Sequence, residues 1–164
     1  MKELLIIRSV SFQQLDKNIV AICKHFPDHR INLLTHEHGL LLAQKYKAID
    51  KIYVYPYKEN FAYRRKVREL KEKDFDSIII PVTNLSGAGF VNVFLFSLSL
   101  KAKKRYVCNV ISELREITTT RIMLIGLKNK LISLFSFLLT LVMGFFAILI
   151  LPLKLYQIQN KERK

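Results

Sequence analysis

The 164-residue chain carries 27 basic and 13 acidic side chains, a formal net charge of +14. Four of the basic and one of the acidic residues lie beyond position 130, so the first 130 residues are themselves basic, at +11, and long enough for one domain of ordinary size but not two. Such charge asks for an anionic partner; without a zinc finger, helix-turn-helix signature or aromatic RNA-binding motif, nucleic acid is set aside in favour of lipid headgroups or a phosphate-bearing lipid substrate.

Leu4–Arg8 (LLIIR) is an apolar run of the kind found in strands buried on both faces. The helical spacing of Leu15, Ile19, Ile22 and Phe26 predicts a helix over Gln14–Phe26, ended by Pro27-Asp28. Ile31–His36 reads as a second strand, Gly39–Ile49 as a helix with Leu42, Tyr46 and Ile49 inward, and Lys51–Tyr57 as a third strand with Pro56 at its exit. Phe61–Phe75 is expected as a highly charged helix whose Arg64, Arg65 and Arg68 either face solvent or meet headgroups. A fourth strand over Ser77–Val82, a turn at Thr83–Gly89, an apolar helix over Phe90–Lys101 and a fifth strand over Lys104–Asn109 complete the series. This alternation predicts an α/β fold, a Rossmann-like parallel five-stranded sheet with helices on both faces, over residues 1–110.

Ile111, Leu114, Ile117, Arg121, Leu124 and Lys128 then suggest an amphipathic connector helix over 111–130, with Lys128 and Lys130 at the membrane surface. From Leu131 to Leu153 there is no charge. Those 23 residues make a helix of roughly 34 Å, enough to cross a hydrocarbon core of roughly 30 Å. A buried core helix would keep a polar stripe, and here only Ser133, Ser136, Thr140 and Gly144 interrupt the run. A transmembrane helix over 131–153 and a basic tail over 154–164 are therefore expected. The cysteines, Cys23 and Cys108, have no metal-type spacing and fit reduced thiols, and the apolar run before Arg8 is too short for a signal peptide. The expected location is the cytoplasmic membrane, single-pass, with the soluble domain facing the cytoplasm; a re-entrant helix turning near Pro152 is the alternative.

In open parallel sheets ligands bind beyond the carboxyl ends of the strands. That rule selects Arg8, Ser9, Ser11, Gln13 and Gln14 after the first strand, His36, Glu37 and His38 after the second, Tyr57 and Lys58 after the third, Asn84, Ser86 and Gly87 after the fourth, and Asn109 after the fifth. His36-Glu37-His38 offers metal-ligand chemistry, but two histidines without a further His or Cys cluster complete no usual site, so no metal is expected. Asn84–Gly89 precedes a helix and is either an anion contact or a tight turn; it lacks the full dinucleotide fingerprint, and no cofactor is implied.

Five short motifs in order resemble one family. Ile7-Arg8, Phe26-Pro27, Ile49-Asp50, Phe75-Asp76 and Asn84-Leu85-Ser86-Gly87 are similar to landmarks in the N-terminal, acceptor-side half of the heptosyltransferase-type glycosyltransferases (GT-B type), which build the lipopolysaccharide core. The resemblance covers about residues 3–110. It implies sugar transfer from a nucleotide sugar, with acceptor contacts at the strand ends. Two departures bear on function. Where the family's first loop carries an Asp taken as the catalytic base, this chain has Gln13 and Gln14, and glutamine cannot accept a proton; Asp16, two positions on, is the candidate substitute or simply a partner of the helix dipole. Where the family's donor domain should begin, this chain has its apolar stretch. The expectation is thus a membrane-anchored acceptor-side half, with the bilayer, a lipid-linked glycan acceptor and a separate nucleotide-sugar-binding subunit as partners. The alternative is a non-catalytic scaffold or regulator derived from such an enzyme.

Overall fold

The computed structural model describes the backbone of residues 2–162 and the side chains of residues 2–152 and 154. The last two residues of the basic tail expected over 154–164 lie outside the described residues. The chain divides into two compact units, Met1–Ile125 and Gly126–Lys164.

The first unit is α/β, but its sheet has six strands and is mixed, not five and purely parallel. The strands are β1 (Lys2–Ile7), β2 (His29–His36), β3 (Lys51–Tyr55), β4 (Asp74–Pro81), β5 (Lys101–Cys108) and β6 (Leu114–Glu116), in the spatial order β3-β2-β1-β4-β5-β6. The first five are parallel, with Leu4 paired to Ile31 on one side and to Ser77 on the other, and β6 returns antiparallel to β5 with Cys108 opposite Leu114. Helices α1 (Phe12–His25), α2 (Leu40–Ala43) and α3 (Val91–Ser97) connect the strands, and α4 (Thr119–Glu162) follows β6. Alternate residues of β1 feed two cores. Leu4 and Ile6 pack with Leu15, Ile22 and Leu33, whereas Leu5 and Ile7 pack with Tyr53, Phe75, Phe96 and Ile122.

The strand β6 replaces the first turns of the helix expected over 111–130, and one side chain explains it. Asn109 Oδ1 accepts from the backbone N–H of Ile111 (3.1 Å) and of Glu113 (2.9 Å), while Ser112 takes φ 64°. This Asx-type turn reverses the chain before a helix can start. The helix begins later, where Thr118 Oγ1 accepts from Arg121 N.

The charged segment 61–75 is not a helix either. Phe61, Val67 and Leu70 are its buried anchors. Residues six apart lie about 120° from each other round a helix, so Phe61 and Val67 would not share a face. The backbone instead turns at Ala62–Arg65, extends at Val67 and closes a single 3₁₀ turn at Arg68–Leu70. Two other helices are shorter than expected. Leu42 is exposed, leaving α2 one turn of four residues, and α3 stops where the Ser97 and Ser99 hydroxyls donate to the carbonyls of Phe94 and Phe96.

Arg105 of β5 fixes the end of α3. Buried without a carboxylate partner, it donates at 2.9–3.5 Å to the carbonyls of Ser97, at the negative end of the helix, of Leu100 just beyond it and of Ala102 in β5. Arg105→Ala leaves those buried acceptors unmet and should cost about 3 kcal/mol. Arg105→Lys, lacking the planar fork, should recover only part of it. Denaturant unfolding of the detergent-solubilised chain reads both.

In the second unit α4 continues as one helix that contains Pro152. Among the described residues this is the one helix long and apolar enough to cross a membrane, over Thr119–Pro152, and its most apolar stretch is not buried at all. Leu131, Phe135, Phe145 and Ile148 are each more than half exposed. An apolar surface of that size is unstable in water and calls for a cover.

Candidate functional site

The strand order reverses direction between β1 and β4, the place where open α/β sheets leave a crevice. Arg8 and Ser9 leave β1 there, and His36 and His38 leave β2. With Lys58 and Asn60 after β3, and Gly89, Phe90 and Asn92 around the start of α3, they line one cleft of about 340 Å³. Val10, Phe61 and Val93 supply its apolar wall. No carboxylate is among its lining residues.

Arg8 is the fixed point of the cleft. Its Nε donates to Thr35 Oγ1 (2.7 Å), its Nη1 to the Val10 carbonyl (3.0 Å) and its Nη2 to His38 Nε2 (3.4 Å), while the guanidinium carbon lies 4.6 Å from the centre of the Phe12 ring. These bonds use three of the five guanidinium N–H groups. One N–H on each terminal nitrogen is left, the pair that recognises phosphate or carboxylate in a two-pronged way. Gly39 makes the arrangement fit: a Cβ there would stand 2.5 Å from Thr35 Oγ1 and 3.0 Å from Arg8 Nη2.

Because guanidinium only donates, His38 accepts at Nε2 and holds its proton at Nδ1. His36 faces a carbonyl, that of Glu59 at 3.3 Å, and so donates from Nε2 and presents an unprotonated Nδ1. The two imidazoles stack at 5.5 Å. Burial, reinforced by the nearby Arg8 guanidinium, holds the His36 pKa below the ordinary imidazole range. His36 is thus neutral at pH 7 and gains a positive charge on acidification.

The remaining expected residues divide by duty. Ser9 Oγ donates to the Pro81 carbonyl, locking β1 to β4. Ser11 caps α1 by accepting from Gln14 N, and Gln14 spends its amide on Asn18 and the Val110 carbonyl. Gln13 is exposed. Asn84 ties the loop after β4, accepting from Gly87 N (2.6 Å) and donating to the Ala88 carbonyl (2.8 Å), while Ser86 Oγ accepts from Ala88 N. The N–H groups of Gly87 and Ala88 are therefore used within the loop. Asp16 lies outside the cleft, in a separate hollow with Phe12, Leu42, Lys45 and Tyr46, and accepts a hydrogen bond from the Tyr46 hydroxyl. Burial and then that bond push the Tyr46 phenol up.

Among the membrane-surface candidates, Arg65 is paired with Glu59 and lies 5.1 Å from the Tyr57 ring, whereas Arg64, Arg68, Lys128 and Lys130 are exposed. Among the described residues no group of three His, Cys, Asp or Glu side chains is placed to hold a metal ion. Thr35, Gly39, Asn60, Phe61 and Asn92 belong to the cleft and its support but were not anticipated. A glycine directly after His36-Glu37-His38 was the one local sign, since close approach of another side chain is a usual reason for glycine. No protein family, curated protein or solved structure matches the chain.

Two outcomes follow. Gly87 has φ 76° and a Cβ on it would meet the Phe94 ring at 2.7 Å, whereas Gly89 has φ 86° and open space. Gly87→Ala should cost about 2–3 kcal/mol and Gly89→Ala about 1 kcal/mol in denaturant unfolding. The second concerns pH. Below about pH 6.5 the unfolded chain protonates His36 more readily than the folded one, so this group's contribution to stability is lost as pH falls. An anion in the cleft works in the opposite sense by favouring the protonated ring. Binding of sulfate, which stays dianionic, should therefore tighten from about pH 7.5 to about pH 5.5, and His36→Gln should flatten that profile in calorimetric titration.

Proposed function

We propose that this chain is a membrane-tethered binding domain whose switch-point cleft holds the phosphate-bearing part of a lipid-linked glycan, and that it forms the acceptor-side half of a heptosyltransferase-like glycosyltransferase in cell-envelope synthesis. The carrying observation is the cleft itself: Arg8, His36, His38 and Lys58 converge with no carboxylate among them. Two N–H groups of a held arginine suit a phosphate, and the Phe61 and Phe90 side of the cleft suits the apolar face of a sugar. The helix of apolar residues supports the tether, and a lipid-linked acceptor already resides in a membrane. The cytoplasmic face is supported by two cysteines that are free, Cys108 with its thiol pushed up to about 11 by burial.

Transfer needs a base and a nucleotide-sugar site, and on this reading a separate subunit supplies both. A second reading, a scaffold without chemistry, is favoured by Asp16, which is engaged with Tyr46 away from the cleft.

Purification of the full-length chain from its native membrane in mild detergent, with mass spectrometry of the protein and lipid that accompany it, tests the proposal. A stoichiometric partner with a nucleotide-sugar-binding domain is the expected result; a chain that emerges alone points to the scaffold. The tether is tested separately by alkaline washing of the membranes, which should leave the chain in the pellet. In the purified chain Arg8→Gln should weaken sulfate binding about tenfold or more, the loss of a two-pronged charged contact, and Gly39→Ala should weaken it by displacing the same guanidinium.

A further inference from the structure

A second cleft, of about 350 Å³, lies on the other side of the loop after β4. Its apolar lining is Phe94 of α3, Val107 of β5, Ile117 after β6 and Ile125 of α4. Arg115, Glu116 and Arg121 stand at its rim, together with Ser86 and Leu85 from the loop. The rim charges do not cancel. Glu116 is matched by Lys104 at 3.5 Å and Arg115 by Glu113 at 2.9 Å, and Arg121 has no ion pair among the described residues. Leu85 is also unexplained by the fold, since it is 61% exposed beside an apolar cavity.

A small inorganic anion would satisfy Arg121 and leave the apolar lining wet. A purely apolar ligand would cover the lining and strip water from the arginine without compensation. A molecule with one anionic head joined to hydrocarbon meets both demands. Arg121 and Ile125 also belong to the helix that goes on to carry the charge-free stretch, Arg121 ten residues ahead of Leu131. We infer that this cleft seats one anionic phospholipid, its phosphate on Arg121 and the upper part of an acyl chain on Leu85, Val107 and Ile125. The inference rests on the membrane-tether reading and is independent of what the switch-point cleft binds.

The test uses the full-length chain in mild detergent, given phosphatidylglycerol and phosphatidylcholine in equal amounts, with retained lipid counted by native mass spectrometry. One phosphatidylglycerol should be held in preference to phosphatidylcholine. Arg121→Gln should lower its retention about fivefold, the contribution of one arginine near a membrane surface, and Leu85→Asp should lower it as well. Both side chains are exposed, so thermal unfolding of the two variants should match the parent chain. Lys128→Gln with Lys130→Gln should leave the single held lipid in place. Equal retention of the two lipids, an Arg121→Gln variant that retains as much as the parent, or a loss that follows Lys128 and Lys130 instead, overturns the site. A parent chain released from membranes by alkaline washing overturns the tether and the site together, whereas a chain that stays in the membrane without lipid preference overturns the site alone.

Discussion

A parallel sheet has no face to spare for water, and β1 expresses that constraint most fully. Leu4, Leu5, Ile6 and Ile7 are all without exposure, so each face of the strand must find a covering layer. On one side α1 supplies it through Leu15 and Ile22. On the other, a short α3, the anchors of segment 61–70 and the first turns of α4 share the work through Phe96, Leu70 and Ile122. With both faces closed, the polar chemistry of the first unit is driven to the strand ends. Both clefts flank the loop that follows β4: Gly89 and Phe90 border one, Leu85 and Ser86 the other.

Much of this was legible because buried parallel strands write themselves as unbroken apolar runs, LLII in β1 and SIIIP in β4. What escaped was decided by single side chains or by unfavourable geometry. A strand of three residues, Leu-Arg-Glu, has no periodicity to read, and its existence depends on the Asn109 amide. Segment 61–75 has helical composition, but Phe61 would lie about 120° round a helix from Val67 and about 180° from Leu70. At the site, position after a strand found Arg8, Ser9, His36 and His38. It could not separate Arg8, His36 and His38 from Ser9, Ser11, Gln14 and Asn84, whose polar groups are spent within the fold. Asp16 was placed on the first helix correctly, but the helix points it at Tyr46.

Charge is handled in two ways that bear on function. Arg105 is buried and spends four of its five N–H groups on carbonyls, a structural cation that holds the chain around the end of α3. Arg8 is held just as firmly yet keeps part of its fork, and its neighbours His36 and His38 have their protons assigned by fixed partners. Orientation established before a ligand arrives reduces the entropy lost on binding. The absence of a carboxylate from that cleft suits the recognition of an anion.

The pairing of β1 with β4 has a further consequence, for biosynthesis. Leu4 meets Ser77, so the first strand made cannot fill both of its edges until the chain has grown past position 81. Only the β5–β6 hairpin is local in sequence, and sheets built on distant pairings fold slowly. During translation the LLII segment is therefore a sticky, half-paired edge, at the same time as an even more apolar stretch waits to follow it from the ribosome. Until β4 has been made that edge can accept any strand, so mispairing of β1 early in synthesis is the hazard that this strand order builds in.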